Sequence, residues 1–181
     1  RFWAKTRIRK YIWSSVVGEG DAFEYTGTGL EKFIGFLMAI VILAVYLGIV
    51  QMILFYFGLT LFSEPSTQAE TIAQMLAIYI TFFAVVPLIF FAQYRARRYK
   101  LARSRWRGVR FGMESGAWGY ALRAIGHWLL TIVTLGILLP RQTFSLEKYM
   151  ADRTWFGDAK FEQHGNWTKL YPAMKHLAIG L

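Results

Sequence analysis

An uncharged run from Phe33 to Ser63 constrains the fold of this chain more than any other feature of its sequence. The run contains no charged residue, and Gln51 is its only amide. A bilayer has a hydrocarbon core about 30 Å thick, which a helix of roughly 20 residues can cross. A chain of 181 residues could hardly bury so long a helix on all sides in water. The run therefore predicts a transmembrane helix over residues 33–62.

A second uncharged run, at residues 71–94, predicts a second crossing. Pro87 lies inside this run, and we expect it to kink the helix without ending it, because neighbouring helices can satisfy the freed carbonyl group. The connection at 64–70 carries two acidic residues and no Lys or Arg, whereas the segments on either side of the two runs are strongly basic. Since basic loops stay in the cytoplasm, the sequence predicts a transmembrane hairpin over 33–94 with an acidic turn outside.

A third apolar segment, at 117–140, fits a membrane crossing less well. Arg123 and His127 interrupt its first half, and the part without formal charge, at 124–139, would cover only about 24 Å as a helix. Basic residues also follow the segment, so one simple crossing would leave a basic flank outside. Two interpretations stay open. The segment either crosses, with the Arg123 side chain reaching the interface, or keeps both flanks in the cytoplasm, as a segment that enters and leaves on the same side or as an interfacial helix followed by a short buried leg.

One sequence pattern recurs three times along the chain. Each copy has a basic residue followed by Tyr, and then a Phe and a small residue at constant spacing. The copies consist of Lys10, Tyr11, Phe23 and Gly27; of Arg98, Tyr99, Phe111 and Ser115; and of Lys148, Tyr149, Phe161 and Gly165. Aromatic and β-branched residues around a Gly-containing turn are typical of β-hairpins. We expect a small cytoplasmic hairpin in each copy, stabilised by pairing with the others; irregular loops are the alternative.

A dense basic cluster follows the second uncharged run. Its members are Arg95, Arg97, Arg98, Lys100, Arg103, Arg105, Arg107 and Arg110. Basic residues interleaved with Tyr99 and Trp106 could bind nucleic acid through phosphate contacts and stacking. The position directly after a span favours another role, because such clusters set topology and attract anionic headgroups by roughly 1 kcal/mol per residue. We predict that this cluster contacts lipid headgroups or a partner protein, and not nucleic acid.

Arg123 and His127 lie four residues apart on one predicted helix face inside an apolar segment. Such a pair is a candidate for a functional site within a membrane, but an Arg near the interface more often extends its side chain to the headgroups. The sequence has no Cys, and its His and carboxylate residues lack the spacing of metal ligands. It therefore predicts no catalytic residue, no metal site and no cofactor.

Three stretches of the sequence point to one family. They are the segment from Trp3 to Tyr11, the segment Phe23-Glu24-Tyr25-Thr26-Gly27-Thr28 and the segment Arg105-Trp106-Arg107-Gly108-Val109-Arg110-Phe111-Gly112. Together they resemble the YjgN-type family of uncharacterised bacterial inner-membrane proteins, over nearly the whole chain. The resemblance implies an inner-membrane location, no settled activity and no catalytic residues. Residues 141–145 are less basic than is usual in that family. Its members are longer, so we expect this chain to be part of a larger protein.

These observations predict an all-α polytopic membrane protein with small cytoplasmic β-hairpin repeats and about three apolar membrane segments. The predicted parts are a basic segment with the first hairpin at 1–32, a transmembrane hairpin at 33–94 with spans at 33–62 and 71–94, a second basic hairpin at 95–116, a third membrane segment at 117–140, a third hairpin at 141–168 and the start of a further apolar segment at 169–181.

The sequence favours a non-catalytic accessory or scaffolding protein of the bacterial inner membrane, with several crossings and basic loops in the cytoplasm. Its expected partners are other membrane proteins and anionic lipid headgroups. The alternative is a transporter or lipid-handling protein with a path at the broken third segment, where Arg123 would meet an anionic substrate. A hydrated cavity beside Arg123 and His127 would favour this alternative.

Overall fold

The computed structural model describes residues 1–174. Its helices are α1 (Phe2–Ser15), α2 (Gly29–Tyr56), α3 (Gln68–Ala102), α4 (Ala117–Val133) and α5 (Leu139–Ala151), followed by a short 3₁₀ helix (Trp167–Leu170). Its strands are β1 (Val17–Gly18), β2 (Asp21–Tyr25), β3 (Ser104–Trp106), β4 (Val109–Met113), β5 (Thr154–Phe156) and β6 (Ala159–Lys160). One compact unit contains residues 1–8 and 27–88, and a second contains residues 9–26 and the described residues from 89 to 174. The further apolar segment predicted at 169–181 lies largely outside the described residues.

Helix α2 begins with a capping box formed by Thr28 and Glu31. The Thr28 hydroxyl accepts a hydrogen bond from the Glu31 N–H at 3.2 Å, and the Glu31 carboxylate accepts one from the Thr28 N–H at 3.4 Å. The ring of Trp3 packs so closely against Gly29 that a Cβ at this position would lie 2.8 Å from it. Because Gly29 has no side chain, the start of α1 can pack against the start of α2.

Helices α2 and α3 are the two helices of the described chain that are long and apolar enough to cross a membrane. Pro87 lies inside α3 but does not end it, as the sequence predicts. Two polar side chains of α2 form hydrogen bonds with α3. The Gln51 amide donates to the Thr81 hydroxyl at 3.0 Å, and the Tyr46 hydroxyl donates to the Ala84 carbonyl at 3.1 Å.

The second unit contains a six-stranded antiparallel sheet whose strands follow sequence order from β1 to β6. Hairpins form at the three segments where the sequence predicts them, and they join through the β2–β3 and β4–β5 pairs. Glu19, Gly20, Arg107 and Gly108 have positive φ, which suits tight hairpin turns. The prediction of an all-α fold is therefore wrong. These segments satisfy their backbone groups by pairing in one sheet, and not within helices.

The prediction of about three membrane segments is also wrong. The predicted segment at 117–140 forms the 17 residues of α4, which span about 26 Å, and then a turn in which Leu135 and Gly136 have positive φ. Helix α5 begins directly after this turn, with Pro140 in its first turn. One face of α4 is used for packing inside the second unit. Its buried residues are Ala117, Tyr120, Ala121, Ala124 and Thr131.

The sheet also excludes a single membrane crossing between β4 and β5. Strand β4 precedes α4 and strand β5 follows α5, yet the two pair with Phe111 opposite Phe156. Strands that share backbone hydrogen bonds must lie on the same side of any membrane. The interpretation in which 117–140 crosses once, with Arg123 at the interface, is therefore eliminated.

Three tyrosines form the centre of the second unit. The ring of Tyr94 in α3 lies 5.6 Å from that of Tyr120 in α4 and 6.0 Å from that of Tyr149 in α5, and the last two rings are 6.1 Å apart. The Tyr94 hydroxyl donates to the Glu114 carbonyl at 2.9 Å, so this fully buried ring keeps its polar atom satisfied. Residues buried around the three rings are Met113, Ala117, Ala124, Leu146 and Met150.

Candidate functional site

The predicted basic cluster is distributed over three elements of the second unit. Arg95, Arg97, Arg98 and Lys100 lie on the last turns of α3, Arg103 and Arg105 lie just before and within β3, and Arg107 and Arg110 lie in the following turn and in β4. Their surroundings differ, so the cluster does not act as one uniform patch.

Arg97 and Arg107 of this cluster bind acidic side chains. Arg97 pairs with Glu147 of α5, and Arg107 binds Glu19 at 3.0 Å and Asp21 at 2.6 Å. The Arg107 pairs connect the second hairpin to the first. Because these side chains are partly exposed, each pair contributes at most about 1 kcal/mol to stability.

Two further residues have structural roles in or beside the sheet. The Arg103 guanidinium lies over the Tyr99 ring at 5.7 Å. Arg105 lies directly opposite Glu24 across the β2–β3 pair and opposite Arg110 across the β3–β4 pair. Opposite charges at such cross-strand positions are favourable and like charges are not, so Glu24 offsets the proximity of the two arginines.

Arg95 and Arg98 differ from the rest of the cluster because both line an open cavity of about 290 Å³. They lie one turn apart on α3, and neither forms a hydrogen bond or an ion pair with another residue of the described chain. Guanidinium groups without a carboxylate partner raise the local concentration of anions. The cavity is lined by Phe91, Tyr94, Arg95, Arg98, Ser115, Gly116, Ala117, Trp118 and Gly119.

The start of α4 contributes a second source of positive potential to this cavity. Gly116 is the residue before the helix, and no side chain caps the free N–H groups of the first turn. The positive end of the helix dipole therefore adds to the charges of Arg95 and Arg98. Ser115 brings a hydroxyl to the same wall. An anion that accepts several hydrogen bonds, such as a phosphate group, matches these donors.

The acidic residue nearest to this wall along the chain is already paired. Glu114 directly precedes Ser115, and its carboxylate accepts a hydrogen bond from Lys160 at 2.8 Å. This contact lowers the pKa of Glu114 below its usual value, so the carboxylate stays ionised beside its Lys partner. Arg95 and Arg98 therefore keep their charge available to a ligand.

Two glycines let α5 hold the start of α4 in place. The Tyr149 hydroxyl donates to the Gly116 carbonyl at 3.0 Å. A Cβ at Gly116 would lie 2.9 Å from that hydroxyl oxygen, and a Cβ at Gly119 would lie 2.6 Å from it. The sequence does not predict this wall of the cavity. Its one local signal is Ser115-Gly116 directly before an apolar helix, which is typical of a helix start.

Arg123 and His127 do not come together in a site. The Arg123 guanidinium lies over the Tyr149 ring at 4.7 Å and donates to the Gly119 carbonyl at 3.1 Å. Burial and then the positive charge of Arg141 lower the pKa of His127 below its usual value. Neither residue lines the cavity beside Arg95.

Comparison with known proteins gives one match. A family model described as "Bacterial protein of unknown function (DUF898)" matches residues 1–180. No curated protein and no solved structure shows a significant match. Within residues 1–174, no group of three or more His, Asp or Glu residues is placed to hold a metal ion.

Proposed function

The chain belongs to the DUF898 family of bacterial proteins, the same family as the YjgN-type proteins that its motifs resemble, and for this member we propose a non-catalytic accessory or scaffolding role in the inner membrane. In this role, the second unit holds an anionic lipid headgroup in the cavity beside Arg95 and Arg98. The apolar helices contact other membrane proteins. The observation that carries the proposal is the pair of guanidinium groups that face a cavity without an acidic partner.

The position of the cavity along α3 supports a lipid ligand. Arg95 directly follows the uncharged run at 71–94, so its guanidinium lies near the depth at which phosphate groups begin. Phe91 and Trp118 give the cavity an apolar side, which suits a ligand that carries both a charged group and acyl chains. A bidentate guanidinium contact is especially suited to phosphate.

The apolar surface of the chain supports a membrane-protein partner. On α4, the face away from the buried core carries a row of exposed large side chains at helical spacing. They are Trp118, Leu122, Leu129, Ile132 and Val133. Exposed apolar area of this extent is typical of a surface that packs against another protein or against lipid.

The two apolar helices and the charge distribution support a location in the inner membrane. In the proposed topology α2 and α3 cross the inner membrane as a hairpin, and the positive-inside rule assigns the basic second unit to the cytoplasm. The acidic connection at 64–70 then lies on the periplasmic side.

The headgroup site is tested by lipid retention. The double variant Arg95→Gln, Arg98→Gln of the full-length protein is purified in mild detergent, and co-purifying phospholipids are quantified by class. We expect it to retain at least about tenfold less phosphatidylglycerol, because hydrogen bonds to charged groups contribute about 1.5–3 kcal/mol each. The matched control is Arg7→Gln, Lys10→Gln, which removes the same charge from two exposed positions outside the basic cluster. Equal losses in both double variants would contradict the site.

The scaffolding role is tested separately by purification of the tagged full-length protein from native membranes, with mass spectrometry of the co-purifying proteins. A reference membrane protein of similar hydrophobicity serves as the control. A membrane protein that co-purifies in stoichiometric amount supports the role and identifies the process that it serves. Recovery of this chain with lipid or a small anion alone would contradict scaffolding.

A further inference from the structure

The three hairpins of the sheet have the same internal pattern. Each hairpin contains two pairs of opposed residues: Val17 with Ala22 and Gly18 with Asp21, Arg105 with Arg110 and Trp106 with Val109, and Trp155 with Lys160 and Phe156 with Ala159. Each hairpin also follows the end of a helix, namely α1, α3 or α5. The sheet is thus an array of three equivalent units.

Both junctions between hairpins use one register. At the first junction Phe23 lies opposite Trp106, and at the second Phe111 lies opposite Phe156. Each junction continues for two more pairs and then closes with a backbone hydrogen bond. The Thr26 N–H donates to the Arg103 carbonyl at 2.8 Å, and the Glu114 N–H donates to the Arg153 carbonyl at 2.9 Å. Each residue of the first junction occupies the same position in its copy of the sequence repeat as the equivalent residue of the second junction.

The outer strands are short because each lacks a junction on its outer side. The inner strands β2 and β4 reach five residues, since three residues of each pair with the next hairpin. Strand β6 corresponds to them but ends at Lys160, although Phe161 still donates to the Thr154 carbonyl at 2.9 Å. Residues 161–163, which follow it directly, have no partner strand among the described residues.

The two open edges present complementary halves of a third junction. In β1, the Phe23 N–H donates to the Val16 carbonyl, so the alternation of an antiparallel pair directs the N–H and C=O groups of Val17 to the open side. Phe161 donates inward to the Thr154 carbonyl, so the same alternation, continued past β6, would direct the corresponding groups of Glu162 outward. Backbone groups left open on a strand edge are a template for another strand.

We propose that β6 of one copy of this chain pairs antiparallel with β1 of a second copy, in the register of the two inner junctions. Phe161 would then lie opposite Gly18, and Gln163 opposite Val16. A second copy is the occupant because both halves of the missing junction belong to the same chain. The contact is head-to-tail, so it generates a ring if the rotation between copies closes and an open array otherwise.

Side chains at the two edges agree with this register. Phe161 is 48% exposed, and Val16 and Val17 are 50% and 60% exposed, so both edges expose apolar side chains. The Trp106 ring covers Gly18, where a Cβ would lie 3.5 Å from it, and it would meet Phe161 of the next copy as it meets Phe23 within one chain at 5.8 Å.

Cysteine cross-linking tests the register directly, because the sequence contains no native Cys. Two full-length copies with different tags are co-expressed in native membranes, one with Val16→Cys and one with Gln163→Cys. These positions would form a non-hydrogen-bonded pair with Cα atoms about 4.5 Å apart, within the range of a disulfide. We expect a disulfide between the two tags on mild oxidation.

The matched control replaces Val16→Cys with Val17→Cys, whose side chain points to the other face of the sheet. We expect several-fold less mixed disulfide for this mismatched pair. Equal yields for both pairs would overturn the proposal, as would a cross-link from Val16→Cys to a different protein alone. In a third combination, the copy with Val16→Cys also carries Val17→Pro. This substitution removes the outward N–H of residue 17 but no hydrogen bond within the hairpin. We expect it to lower the yield of the disulfide between Val16→Cys and Gln163→Cys.

Discussion

Trp155 of β5 packs its ring across Gly112 of β4, and a Cβ at Gly112 would lie 2.0 Å from that ring. We expect Gly112→Ala to lower the free energy of unfolding by about 1–3 kcal/mol, because the added methyl group forces the ring or the strand to shift. Denaturant unfolding in detergent, followed by tryptophan fluorescence, measures the change.

Gly126→Ala is the matched control for this substitution. Gly126 lies inside α4, and a Cβ there would meet nothing within 4 Å. The same methyl group should therefore raise the free energy of unfolding by about 0.5–1 kcal/mol, since Ala is the better helix former. Similar losses at both positions would show that the ring contact does not determine the effect.

The sequence shows the position of Arg123 but not the residue that its side chain contacts. Its presence inside an apolar segment is visible, and it led to the hypothesis of a functional pair with His127. Its partner is not visible, because Tyr149 lies on another helix and only packing brings the ring under the guanidinium group. The cavity beside Arg95 and Arg98 was not predictable for the same reason, since nothing in the sequence connects Arg95 with Gly116.

We expect Arg123→Gln to lower the free energy of unfolding by about 0.5–1 kcal/mol through loss of the contact with the Tyr149 ring. The same variant should leave phospholipid retention unchanged, because Arg123 does not line the cavity beside Arg95 and Arg98. Parallel unfolding and lipid measurements on one preparation check both statements. A loss of lipid comparable to that of the Arg95, Arg98 double variant would contradict this structural role.

At the scale of elements, α4 couples stability to pH through His127. Burial and Arg141 lower the pKa of this side chain below its ordinary value of 6.5, so the unfolded chain takes up the proton at a higher pH than the folded chain does. The stability is therefore complete above about pH 6.5 and decreases as the pH falls from there towards the folded-state pKa.

We expect His127→Gln to flatten the pH dependence of unfolding between about pH 7 and about pH 5, the range in which histidine titrates. Arg141→Gln should flatten it partly, because it removes only the second cause of the lowered pKa. Unfolding midpoints measured across this range test the order of the two effects. An unchanged slope in His127→Gln would assign the pH dependence to other groups.

The elements themselves were predictable to the extent that their signals are local. Gly20 and Gly108 mark tight turns, and hairpins form around both. The pairing of β2 with β3 brings together residues on either side of two long helices, and no local signal encodes it. The length of α4 was misjudged because its apolar residues suit lipid and a protein core equally well. The helix ends at Val133, just before the turn at Leu135 and Gly136.

At the scale of the whole molecule, the proposed topology predicts the sidedness of two exposed positions. Ser66→Cys in the acidic connection should react with a membrane-impermeant maleimide added to intact spheroplasts. Asp158→Cys in the turn of the third hairpin should react only after permeabilisation. The native sequence has no Cys, so each signal comes from one site. Labelling of both variants in intact spheroplasts would contradict the topology.

The β2–β3 pair has a consequence for the biogenesis of this protein. Helices α2 and α3 separate the two strands along the chain, so the sheet can close only after both helices have been synthesised. If these helices cross a bilayer, insertion of only one of them would place β2 and β3 in different compartments. The first hairpin would then remain unpaired, with open edges of the kind that chaperones and proteases act on. In the proposed topology, the sheet can therefore close only when both helices have been inserted.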